Sequence, residues 1–186
     1  MDDLTRWFEE EKKRLDEISS MVNLSDGAVE VLYSIALNFW RNNQLQKAAD
    51  TYSLVFMARP HNPKYLDAMA RCRYDMGDYE RAKVLYSYAG TLGESPATYL
   101  LRVAQCHLMM GNLEQAYQMI QYVVEGAKVD PSFVPKELLH QAKSMLELLD
   151  IERNKELGVK SGGKKSMGKK TSSVPKRLVK KASGKI

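Results

Sequence analysis

Three histidines, two cysteines and a scatter of carboxylates are the residues able to carry covalent or acid–base chemistry, and their spacing supports none of it. His61, His107 and His140 have no nucleophile beside them, no glycine-rich phosphate loop is present, and the acidic residues fall on solvated helix faces. Cys72 and Cys106 lack companions at metal-ligand spacing and read as small, reduced core residues. The chemistry that spacing does favour is non-covalent. Tyr33, Leu37 and Trp40 recur at intervals of four and three, so a helix carries them as one apolar ridge. Such a ridge packs against the N-terminal helix or a second copy of the chain, or it takes the apolar side chains of a peptide. Each peptide anchor would contribute roughly 1.5–3 kcal/mol before ordering costs. The expectation is a binding protein, not an enzyme, with no cofactor.

An internal repeat must position that ridge. MGDYERA at 76–82 returns as MGNLEQA at 110–116, and NNQLQKA stands at 42–48, each 34 residues from the next. At the same step Leu32, Leu66 and Leu100 align, as do Ala36, Ala70 and Ala104, and Ala48, Ala82 and Ala116. Within one copy, Leu32, Ile35, Ala36 and Phe39, then Leu45, Ala48, Tyr52 and Val55, follow helical spacing. Each copy is therefore expected to be two helices of about 12–14 residues joined by a tight turn. The turn needs a left-handed residue, supplied by Asn43, Gly77 and Gly111. The alanine columns mark close helix approach, and Asn62-Pro63 and Ser95-Pro96 each offer a cap and a first-turn proline.

Period and pattern resemble the tetratricopeptide repeat. The first copy carries that signature in Leu32, Ile35, Ala36, Phe39, Ala48, Tyr52 and Pro60. The second departs at Arg73 and Glu94, the third at His107 and Lys128. The expected fold is all-α: three tandem helix pairs (29–62, 63–96, 97–130) stacked in a superhelix, a helix over 1–28, a capping helix over 131–157, and a disordered tail from 158 to 186. Leu4, Trp7, Phe8 and Leu15 form part of an apolar stripe on the first helix. Leu138, Leu139, Ala142, Met145, Leu146 and Leu149 form one on the last.

Charge is unevenly placed. The net +5 of the 186-residue chain conceals 12 Lys and Arg against two Glu from Glu152 onward, leaving 16 against 21 before it. An acidic body thus carries a basic Gly/Ser/Lys-rich tail, suited to solubilising the chain or to nonspecific, salt-weakened contact with nucleic acid or anionic lipid. No aromatic residue is interleaved there to stack on bases. No apolar run approaches the roughly 18 residues that cross a bilayer. MDDLTRWFEEEKKRLDEI lacks the layout of a secretory signal, so the cytoplasm is the expected compartment.

A stacked array presents the first helix of each pair to a concave face. The inward residues are expected to be Tyr33, Leu37, Trp40 and Arg41, then Lys64, Asp67, Arg71 and Tyr74, then Leu101, Gln105 and Leu108. Repeat domains that clamp an Hsp90-type terminal carboxylate place lysine and asparagine where Tyr33 and Leu37 stand, so that clamp is not expected.

LYSIALNFWRNNQLQKAADTYSLVFMARP (32–60), CRYDMGDYERAKVLYSYAG (72–90) and AQCHLMMGNLEQA (104–116) resemble a narrower family, the class II chaperones of bacterial type III secretion (the LcrH/SycD/IpgC group). The resemblance spans about residues 5–150, and the lysine-rich tail is outside it. It implies a cytoplasmic chaperone that keeps hydrophobic translocator proteins soluble by binding a Pro-x-Leu-x-x-Pro-like segment. By position the pocket carries over to Tyr33, Leu37, Trp40 and Leu45. The resemblance also implies homodimers through the N-terminal helix and, in some members, help to a transcription activator. Against it stands a general repeat scaffold or regulatory adaptor that contacts nucleic acid through the tail.

Overall fold

The computed structural model describes the backbone of residues 3–93, 95–130 and 132–161, and side chains from 10 to 153 apart from 11, 94 and 131. The basic tail from 162 onward, and the side chains of Leu4, Trp7 and Phe8, therefore lie outside the described residues. Among those residues there are eight α-helices and no strand: α1 (Asp3–Met21), α2 (Asp26–Arg41), α3 (Leu45–Ala58), α4 (Pro63–Asp75), α5 (Tyr79–Leu92), α6 (Pro96–Met109), α7 (Leu113–Val129) and α8 (Lys136–Ser161). They fall into two compact units, Met1–Gly93 with α1 to α5 and Glu94–Ile186 with α6 to α8.

The repeat period is realised as three helix pairs, α2/α3, α4/α5 and α6/α7. Asn43 turns the first pair at φ 57°, and Gly77 and Gly111 turn the others at φ 81°. Ala36, Ala48, Ala70, Ala82, Ala104 and Ala116 are fully buried, as close packing of paired helices requires. Tyr52, Val55, Leu66 and Tyr86 fill the first unit around these alanines, and Leu108, Ile120, Val123 and Met145 fill the second. At Gly77 an added Cβ would meet nothing within 4 Å, so the backbone alone sets the cost of substitution. Gly77→Val is expected to lose about 1–2 kcal/mol, and Gly77→Asn less because Asn43 already holds this geometry. Urea unfolding midpoints of the two variants check the order.

Three local features differ from the sequence expectation. Asn62 caps α4 by accepting from Lys64 N at 3.0 Å, but the Ser95 hydroxyl pairs with that of Thr98 at 2.7 Å and leaves α6 without a side-chain cap. The last helix does not end near Gly158 and continues to Ser161. Ile35, a core position of the repeat signature, is 42% exposed. That position normally packs on the second helix of a preceding pair, and none precedes α2. The helix that does, α1, lies chiefly against α3. Asp16 of α1 bonds His61 at 2.7 Å, and Ser19 donates to Ala58 O at 3.0 Å.

Candidate peptide-binding site

The ridge on α2 meets α4 through two cation–ring pairs. Tyr33 is half-buried, its ring 6.0 Å from that of Tyr52 and 5.5 Å from that of Tyr65, so core tyrosines fix its tilt. Lys64 Nζ stands 4.4 Å from the Tyr33 ring centre and donates to both Glu30 oxygens at 2.9 and 3.0 Å. Two turns on, the Arg71 guanidinium stands 5.9 Å from the Trp40 ring and bonds Asp67 at 3.3 Å. Trp40 Nε1–H donates to Asp75 at 2.7 Å. Leu37 and Leu45 are half-buried, and Arg41 is exposed. Tyr74 is half-buried with its ring edge-on to Tyr79 at 5.2 Å. Tyr33, Leu37, Trp40, Lys64, Asp67 and Arg71 thus line adjoining faces of α2 and α4.

Three residues of this cluster, Glu30, Tyr65 and Asp75, were not singled out from the sequence. A signal for them exists: Glu30 with Lys64 and Tyr65, and Trp40 with Asp75, are 34 or 35 positions apart. The first helices α2 and α4 lie side by side, so residues one period apart on them are neighbours. Aligning hydrogen-bonding side chains at that offset would have found these bonds.

The third pair departs from the expectation. Leu101, Gln105 and Leu108 are 3%, 3% and 0% exposed, and the two leucines belong to the apolar core that α6 builds with α7 and α8. The cause lies in the added last helix, whose Ala142, Met145 and Leu149 extend that core. These three residues therefore offer no open surface.

Hydrogen bonding perturbs ionisation at the first-pair face. The Tyr65 hydroxyl, and secondly Lys64, hold the Glu30 carboxyl below its usual range. Burial first, then the Glu30 bond, pushes Tyr65 up to about 12, while burial drives Tyr52 higher still and the Cys72 thiol to about 11. Raised acids favour the folded state fully below their unfolded values, and that contribution falls as pH rises through the folded ones. Stability should accordingly drop between about pH 9 and 12, which circular dichroism along an alkaline titration will show. The Glu30 contribution has the opposite sense: it is present at neutral pH and lost as pH falls below about 4.5.

The opposite side of α2 carries a shallow concavity of about 460 Å³, lined by Glu30, Val31, Ser34, Ile35, Asn38 and Phe39. Val31 is 60% exposed. The histidines are dispersed. His61 bridges Asp16 and the Tyr88 hydroxyl, His107 lies beside Asn112 at 3.4 Å, and His140 is exposed on α8. Among the described residues no cluster of His, Cys, Asp and Glu is placed to hold a metal ion, and no helix is long and apolar enough to cross a membrane.

The helix pairs have counterparts in solved proteins. The type III secretion translocator chaperone SycD of Yersinia enterocolitica, solved with a peptide of the translocator YopD, is 25% identical, with a TM-score of 0.60 over 70% of this chain and 98% of that one. Low calcium response locus protein H of Yersinia pseudotuberculosis is 25% identical over 139 residues, 75% of this chain and 82% of the relative. The chain is a relative of the type III secretion translocator chaperones. The first tetratricopeptide domain of Spaghetti (RPAP3), bound to an HSP90 peptide, matches this chain at a TM-score of 0.56 and 18% identity, with 70% of this chain and 97% of that one covered. It attests the fold alone. No protein-family model matches the chain.

Proposed function

We propose that this chain is a cytoplasmic chaperone of a bacterial type III secretion system that keeps hydrophobic translocator proteins soluble before export. The observation that carries the reading is the half-buried ridge of Tyr33, Leu37 and Trp40 beside α4, in a fold shared with a chaperone solved with its translocator peptide. An extended segment of the cargo lies along α2, with Leu45 at one end and Lys64, Asp67, Arg71 and Tyr74 facing it from α4. The chain acts by stoichiometric binding: covering an aggregating segment lowers its free population by mass action, with no catalytic step and no nucleotide. Three apolar anchors suffice for roughly micromolar affinity, tight enough to escort and weak enough to release.

The test is co-expression with a translocator encoded beside this chain. Wild type is expected to move it from the pellet to the supernatant. Tyr33→Ala with Trp40→Ala is expected to lose that rescue while helicity by circular dichroism is kept. Undiminished rescue by the folded double variant overturns the site.

The exposed Val31 and Ile35 favour one further element, a homodimer in which this side of α2 meets a second copy. Burying two such side chains from each protomer is worth several kcal/mol before association costs. Sedimentation velocity of Val31→Glu is expected to show a shift toward monomer.

A further inference from the structure

The α2/α4 face holds as many anions as cations. Arg41, Lys64 and Arg71 stand against Glu30, Asp67 and Asp75, and two of the three cations are paired in place, Lys64 with Glu30 at 2.9 Å and Arg71 with Asp67 at 3.3 Å. A face so balanced has little net field with which to attract a ligand of either sign. It nevertheless keeps donors in reserve. An ammonium has three N–H groups, of which Glu30 takes two. A guanidinium has five, of which Asp67 takes one; Arg71 Nε is buried without a partner, and the remaining N–H groups belong to a side chain that is 34% exposed. Spare donors without spare charge suit an uncharged acceptor, and the commonest uncharged acceptor on a protein ligand is the backbone carbonyl.

Register sharpens this. Lys64 and Arg71 are seven residues apart on α4, about 10 Å along a helix, and their rings, Tyr33 and Trp40, are seven apart on α2. A chain extended as a polyproline II helix has three residues per turn and rises about 3.1 Å per residue, so every third carbonyl points the same way and the two cations match carbonyls three residues apart, with Leu37 midway to receive a side chain between them. Resting on the reading that this face holds cargo, we propose that Lys64 and Arg71 read the backbone of an extended, uncharged apolar segment, bonding carbonyls at positions i and i+3. Selection is for apolar side chains in extended conformation and against charge. The same two side chains stand over the ring faces, and on binding they turn from ring to carbonyl while Glu30 and Asp67 keep hold of them.

Fluorescence anisotropy with the full chain tests this, using a labelled uncharged ten-residue peptide of alternating leucine and serine, and two versions carrying glutamate or lysine at positions three apart. The uncharged peptide is expected to bind at least as tightly as either charged one, with less than a threefold change in Kd between 0.05 and 0.5 M NaCl. Lys64→Met with Arg71→Met, which keeps side-chain bulk and removes the donors, is expected to weaken it about tenfold. Tighter binding by the double variant would make the cations simple covers, and unchanged binding would make them bystanders. A preference for the glutamate peptide that salt abolishes would make the face a charge reader. Each of those overturns the proposal while leaving the translocator rescue intact. Loss of all peptide binding together with undiminished rescue by Tyr33→Ala/Trp40→Ala would instead sink the site itself.

Discussion

Tyr52→Ala should be among the most damaging single substitutions in the first unit, costing about 3–5 kcal/mol. The side chain is 2% exposed and packs with Ala36, Ala48, Ala49 and Cys72, under the ring of Tyr33. The alanine columns leave no flexible neighbour to collapse into the space, because small residues on close-packed helices have nothing to extend. A small domain has about 5–15 kcal/mol of total stability, so this loss brings the unit near its threshold. Burial drives the Tyr52 hydroxyl well above the usual tyrosine value. Tyr52→Phe is therefore expected to be nearly neutral. Urea unfolding of the pair separates ring from hydroxyl. A loss under 1 kcal/mol for Tyr52→Ala would mean that the core does collapse. Because Tyr52 also tilts Tyr33, cargo rescue should fall along with stability in the alanine variant and survive in the phenylalanine one.

The same two residues show how much was legible beforehand. Tyr52 belongs to a column recurring every 34 residues, and repetition reveals the fold because each copy must solve the same packing problem. Ala36, Ala48 and the left-handed turn residues could be placed for the same reason. The ridge of Tyr33, Leu37 and Trp40 was legible as a face, since helical periodicity alone places it. What covers the rings was not. Lys64 and Arg71 read in sequence as polar residues of a middle repeat, and only the side-by-side packing of α2 and α4 sets them over aromatic faces. The third pair misled for the complementary reason. Leu101 and Leu108 hold positions equivalent to Tyr33 and Trp40, yet a neighbouring helix absorbs apolar side chains that an open face would display. Periodicity assigns a residue to a side of its helix, and the neighbouring element decides whether that side is wet. Ile35 is the same lesson reversed: a core column left exposed at the start of the array.

That contrast gives α2 two apolar sides with separate consequences, and one pair of substitutions should divide them. Leu37→Glu places a carboxylate midway between the two ring pairs. There it removes an anchor and must be desolvated under bound cargo, so cargo affinity is expected to fall at least a hundredfold, about 3 kcal/mol. Leu37 is only half-buried, and the fold should hold. Ile35→Glu changes a side chain two positions away that is 42% exposed on the opposite side. It should leave translocator rescue per protomer unchanged and move the sedimentation coefficient toward that of a monomer. The two variants thus exchange phenotypes: one dimeric and unable to hold cargo, the other monomeric and able. If Ile35→Glu abolished rescue as well, cargo holding would require the dimer, and the α2/α4 face would be half of a site completed by a second copy. If Leu37→Glu kept rescue, the cargo would have to seat elsewhere, because a carboxylate in place of the leucine anchor cannot sit under a bound apolar segment without a desolvation cost that this assay reads.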